Sequence, residues 1–220
     1  MKSIIKLAKG IAAVSLLAIA GAASATPIAG STTGTFDNAM GGSGMVTSGE
    51  GTSFFTWGRG TPSSLSFLGA GFAGTVGDYF DVGTLIFSNG AIFANTGADS
   101  VDLSIGIDFT APSGISESFT FMMNLINTPN VGSPEDQADT VSFNSLMSSE
   151  RFNIGAQAFI LELEVGQAGE AGFTSIDSFS VFEGASESAT IRGRLTAVPA
   201  PAGFALLLAG LAGLLVSRRR

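Results

Sequence analysis

The sequence predicts an all-β fold: an antiparallel β-sandwich of jelly-roll or Greek-key type, set between two apolar terminal segments. Three observations lead there. From residue 52 to 197 apolar and polar residues alternate in short runs with a period of two, the signature of strands buried on one face. Gly, Pro, Asn and Asp separate these runs at close intervals, as turns between antiparallel strands require. No stretch of this region carries a 3.6-residue apolar period, so the layers are expected to be sheet on sheet.

The N-terminus reads as an export signal. Lys2, Lys6 and Lys9 form a basic head, residues 11–20 an apolar run, and Ala23-Ser24-Ala25 a small-residue cleavage site. Cutting after Ala25 makes residues 1–25 a signal peptide and Thr26 the first mature residue. Residues 26–51 are rich in Gly, Ser and Thr with few large side chains. They are expected to be a flexible lead-in, with one short strand at Thr35-Phe36-Asp37. The stretch GGSGMVTSGEG lacks the Lys-Ser/Thr of a phosphate-cradling loop and is read as a turn.

Strands are then expected at 52–57, 64–68 and 79–88. Asn89-Gly90, between Phe87-Ser88 and Ala91-Ile92-Phe93, is expected to close a hairpin through a type I′ turn. Val101, Leu103, Ile105, Ile107 and Phe109 alternate with Asp102, Ser104, Gly106 and Asp108, which predicts a strand with an apolar inner and an acidic outer face. Phe119, Phe121, Met123 and Leu125 repeat the pattern. So do Phe159, Leu161, Leu163 and Val165, against Glu162 and Glu164. A last strand at 189–197 closes a single β-sandwich domain over 52–197, and runs straight into the tail.

Residues 198–220 form that tail. Pro199 and Pro201 disfavour helix in the residue before each, so a helix is expected to begin after Pro201. The apolar run 202–216 would span roughly 22 Å as a helix, short of the ~30 Å hydrocarbon core. Arg218, Arg219 and Arg220 can snorkel to the far headgroups and hold that end on the cytoplasmic side. The expected product is an exported, membrane-anchored protein whose bulk lies outside.

The tail resembles the PEP-CTERM sorting signals of Gram-negative bacteria, in the variant class that reads VPLPA. The motif stands here as Val198-Pro199-Ala200-Pro201-Ala202, with Ala200 where the name-giving form has Glu. The resemblance implies an exosortase-like processing enzyme, transient residence in the inner membrane, then release or attachment at the cell surface. An ordinary anchor that is never cut is the alternative. Upstream, Phe55-Thr56-Trp57-Gly58, Phe80-Asp81-Val82-Gly83-Thr84-Leu85, Phe87-Ser88-Asn89-Gly90, Val101-Asp102-Leu103 and Asn127-Thr128-Pro129-Asn130 follow one another as in the choice-of-anchor domains, which the chain resembles in their K type. That family carries no activity to transfer to particular residues.

Composition narrows the chemistry. All three lysines fall in the signal peptide and three of seven arginines in the tail, so residues 26–197 hold 18 acidic residues against four arginines, a net charge of −14. Nucleic acid is not expected as a partner, because binding phosphates requires a basic footprint. There is no cysteine and no histidine, which removes disulfides, thiolate metal sites and the common general base. The 17 phenylalanines of this region supply core area instead.

No enzyme is expected. The remaining catalytic route is a carboxylate pair of glycosidase type, with Glu162 and Glu164 or Asp102 and Asp108 as the pairs that share a strand face; solvated outer-face charges explain them equally. No cofactor is required. A structural calcium is compatible with the oxygen-rich loops Gly77 to Asp81 and Asn95 to Asp102 and with the acidic loop Pro134 to Asp139, which solvated turn chemistry explains equally, without a ligand set that sequence can choose. Exopolysaccharide is the partner class for a glycan-binding alternative, with Phe54, Phe55 and Trp57 as its aromatic candidates. Strand alternation places at least one face of this strand in the core, and Trp57 is expected to be buried, its exposure being what would favour the glycan-binding alternative.

Overall fold

The computed structural model describes residues 26–199. The signal peptide with its Ala23 and Ala25, and the tail from Ala200 through Pro201, Ala202 and the apolar run to Arg218, Arg219 and Arg220, lie outside the described residues. In chain order the strands are β1 (Pro27–Met40), β2 (Thr47–Ser48), β3 (Phe54–Trp57), β4 (Ser63–Gly69), β5 (Gly71–Thr75), β6 (Tyr79–Ser88) and β7 (Ser100–Ala111). They continue as β8 (Ser113–Ile126), β9 (Asp139–Phe143), β10 (Phe152–Ile154), β11 (Gln157–Ala168), β12 (Gly172–Thr174), β13 (Ser178–Val181) and β14 (Ser186–Ala197). No described residue is helical, and no helix among them is long and apolar enough to cross a membrane.

The strands make two seven-stranded antiparallel sheets. One runs β12-β13-β9-β8-β7-β1-β5, the other β10-β11-β14-β6-β4-β3-β2. The sheets face each other across an aromatic interior. Phe72 stacks on Phe80 with ring centroids 4.5 Å apart, Phe109 on Phe152 at 5.6 Å, and Phe87 meets Phe179 edge-on at 6.1 Å. Alternation places the side chains as expected: Val101, Leu103, Ile105, Ile107 and Phe109 are all buried, while Asp108 is exposed. The four edge strands β12, β5, β10 and β2 are five residues or shorter, which limits the unpaired backbone offered to other chains.

Two expectations are corrected. Residues 26–51 are not a lead-in, because β1 occupies Pro27–Met40 and lies between β7 and β5 inside its sheet. Its inward positions include Thr32 and Gly34 besides Ile28 and Phe36, so the apolar signal is weak. Each small residue has a physical reason. The buried Thr32 hydroxyl donates to the Val82 and Ala70 carbonyls and accepts the Ala70 N–H at 2.9 Å. Gly34 leaves room for the Phe67 ring, which a Cβ at that position would strike. Asn38 takes φ 53° where the β1–β7 register shifts, a conformation Asn tolerates better than most residues.

The second correction concerns Asn89-Gly90. β6 is flanked by β14 and β4, and neither Asn89 nor Gly90 has a positive φ. No hairpin closes there; Ile92 bridges to Gly60 instead. The Asn89 side chain is spent in the interior, donating to the Val181 carbonyl at 3.0 Å. Gly90 is needed for close approach, since a Cβ would lie 2.8 Å from the Pro62 carbonyl oxygen.

Candidate functional site

The starts and ends of the strands define two poles. At one, β14 finishes at Ala197 beside Phe159, and β1 begins at Pro27. Val198 continues the ladder: its N–H donates to the Ala158 carbonyl at 2.8 Å, and Gln157 Nε2 donates to its carbonyl at 2.9 Å. Pro199 follows as the last described residue, and Thr26 at the same pole accepts the Val76 N–H at 2.9 Å. At the other pole β6, β8 and β13 end while β7, β9 and β14 begin. The length of β14 sets the poles roughly 35–40 Å apart at about 3.3 Å per residue.

The pole remote from Val198 holds a groove of about 860 Å³. Asn95, Asp99, Asn127, Thr128, Asn130 and Asp139 supply its polar lining; Ile92, Phe93 and Ile126 supply apolar walls. Phe93 is 65% exposed, the most open to solvent of the described phenylalanines. Asn95 turns the loop with φ 63°. Asn127 anchors the floor, accepting from the Trp57 indole at 3.1 Å and donating to the Ala98 carbonyl at 3.3 Å.

Beside the groove lie two neighbouring acids, one buried and one half-buried. Asp139, the first residue of β9, points inward and is 4% exposed. Its Oδ1 accepts the Thr128 N–H at 2.7 Å and the Thr128 hydroxyl at 3.1 Å. Burial outweighs these bonds and pushes the Asp139 pKa up. Glu183, in the loop between β13 and β14, is raised first by burial and then by the negative charge of Asp139. Neither carboxylate is in an ion pair among the described residues.

The residues singled out by sequence are dispersed. Glu162 and Glu164 stand on the outer face of the second sheet, opposite Arg194 and Arg192 in the β11–β14 ladder. They bind these arginines at 2.8 and 2.9 Å, and both guanidinium groups lie about 5 Å over the Tyr79 ring. Arg194, and secondarily Thr196, hold the Glu162 pKa below its ordinary value. Asp102 and Asp108 lie on the outer face of the other sheet and accept from Asn38 and Ser116. The two pairs therefore do not share a cleft. Of the aromatic candidates Phe54 is exposed, whereas Phe55 and Trp57 are buried.

Among the oxygen-rich loops, Asp78 accepts from Thr75 and Asp81 is exposed across from Arg192. Asp136 accepts the Ser133 N–H and hydroxyl, which lower its pKa. No group of three Asp or Glu side chains gathers as metal ligands among the described residues. Asn89, Asn127 and Glu183 were not singled out as site residues by the sequence; Asn89 stood there as a turn residue and Asn127 only within the family-like motif at 127–130.

The fold and the groove define an acidic, two-sheet antiparallel β domain with a polar cleft at one pole and its C-terminal strand running out at the other. No protein-family model matches the chain, and no curated protein matches it.

Proposed function

We propose that the protein is a non-catalytic, exported surface or extracellular-matrix protein, sorted through its tail by an exosortase-type enzyme. In this reading residues 1–25 are removed on export, the jelly-roll-type sandwich folds outside, and the apolar helix holds the chain in the inner membrane until processing at Val198-Pro199-Ala200-Pro201-Ala202. The observation that carries it is the end of β14. Val198, the first residue of the motif, is still bonded to Ala158 and Gln157, so folded mass abuts the processing segment without a linker. The prolines that follow cannot extend the ladder. Mass spectrometry of the mature C-terminus, with fractionation of the cells, tests it: the expected chain ends within or just after the motif and lacks the arginines.

A second reading is favoured by the groove. A cleft that puts the exposed Phe93 beside Asn95, Asn127 and Asn130 offers an apolar platform with amide partners, the chemistry that suits a sugar ring. It opens at the pole opposite the tail, so an anchored chain would present it away from the membrane. Co-sedimentation of the protein with the cell's own exopolysaccharide, lost in Phe93→Ala, tests this reading.

A further inference from the structure

We propose that the remote pole holds a calcium site, in which the carboxylates of Asp139 and Glu183 and the amide oxygen of Asn89 tie the two sheets together. Each ligand comes from a different part of the fold: Asn89 from the end of β6 in one sheet, Asp139 from β9 in the other, and Glu183 from the crossover between β13 and β14.

Several contacts link these three residues. Val181 stands opposite Asp139 in the β13–β9 ladder, and its carbonyl is the acceptor for Asn89 Nδ2. The Asn89 backbone clasps the same crossover, donating to Ala185 at 2.9 Å and accepting from Gly184 at 3.0 Å. The Asn89 side chain is thus clamped between the partner of Asp139 and the loop that carries Glu183. Its other atom, Oδ1, is left without a hydrogen bond although the residue is 2% exposed. Glu183 is half-buried and Asn130 reaches its carboxyl group, yet its Oε1 atom is shielded from solvent and without a hydrogen bond. Nearly all buried polar atoms in proteins are satisfied, so an amide oxygen and a carboxylate oxygen left without donors, near the buried Asp139 carboxylate, point to a cation.

A hard cation answers all three at once. Calcium takes six to eight oxygens from carboxylates, amides, carbonyls and water in loose geometry. Two carboxylates would neutralise its charge, and the groove above Asp139 admits the waters that complete the shell. With only two anionic ligands the affinity belongs to the weak end of the range, about 0.1–1 mM, where extracellular modules work. The site does not depend on how the tail is processed.

The test is calorimetric titration of CaCl₂ into EDTA-treated full-length chain, with chemical unfolding in parallel. Saturable binding with one ion per chain is expected, and 10 mM CaCl₂ should lower the unfolding constant about ten- to hundredfold. Glu183→Gln and Asp139→Asn should each weaken binding at least tenfold while unfolding cooperatively. Absence of saturable binding below 10 mM, undiminished binding in either variant, or an equal effect of MgCl₂ at the same concentration overturns the proposal. The wild-type titration decides the question even where a variant does not fold.

Discussion

The indole nitrogen of Trp57 donates to the amide oxygen of Asn127 at 3.1 Å, joining β3 of one sheet to the chain just beyond β8 of the other. Trp57 is 1% exposed and its ring lies between Phe55 and Phe87, at 5.7 and 5.8 Å. The bond fixes the floor of the groove to the aromatic interior, so the sole tryptophan acts as a structural joint. Trp57→Ala is expected to cost about 3–5 kcal/mol in chemical denaturation. Trp57→Phe keeps the stack, loses the bond to Asn127, and should cost about 1–2 kcal/mol. As the only indole, Trp57 reports on this directly: wild-type emission should be blue-shifted and should move red only on global unfolding.

The second expectation concerns space. Phe67 is 2% exposed and has a glycine on either side, Gly34 from the facing sheet and Gly83 from its neighbour strand. A Cβ at Gly83 would stand 2.5 Å from Phe67 Cζ, and one at Gly34 would fall against the same ring. A buried ring in a packed interior has nowhere to move. Gly34→Ala and Gly83→Ala should each destabilise by about 1–3 kcal/mol. Combining either with Phe67→Leu should recover part of the loss, since the three sites are coupled.

These residues also show what sequence could and could not reveal. The inner faces of β7, β8 and β11 were legible because long apolar side chains occupy every second position, as in Val101 to Phe109. β1 was not, because its inward Thr32 and Gly34 answer to partners distant in sequence, the Val82 carbonyl and the Phe67 ring. Asn89-Gly90 carried a strong local turn signal, yet Asn89 is held by Val181, 92 residues away. The groove was hidden for the same reason. Its lining comes from Gly42 and from segments at 90–99, 125–130 and 139, which only the pairing of strands brings together.

Acid should loosen the outer ladder. In the folded chain Arg194 and Thr196 keep Glu162 ionised below its ordinary pKa. Such a depressed carboxylate adds stability that is fully present above the unfolded-state value, about 4.3, and is lost as pH falls through the folded value. The pair is part exposed, so its worth is screened to about 0.5–1 kcal/mol. Glu162→Gln should be less stable than wild type by that amount at pH 7. Denaturant titrations carried down to pH 3 should show the gap closing, and a gap constant with pH would remove the ion pair as its cause.

The last expectation concerns the tail. Proline lacks the N–H that a strand or helix interior uses, so Pro199 ends the β14 ladder after Val198. Pro201 disfavours helix at Ala200, which in the proposed reading keeps the residues between sheet and membrane extended and open to an enzyme. Replacing both prolines with alanine lets helix extend upstream from the apolar run, and the expected result is unprocessed chain in the membrane fraction. The β domain should remain folded, with unchanged Trp57 emission, since β14 ends at Ala197, before either proline. Deleting Arg218, Arg219 and Arg220 should act differently, weakening retention and orientation because the basic end sets topology. Mature surface protein that still carries Arg218-Arg219-Arg220 would falsify processing and leave a plain anchor. Normal processing of the alanine variant would show instead that the enzyme does not read the extended Pro-x-Pro conformation.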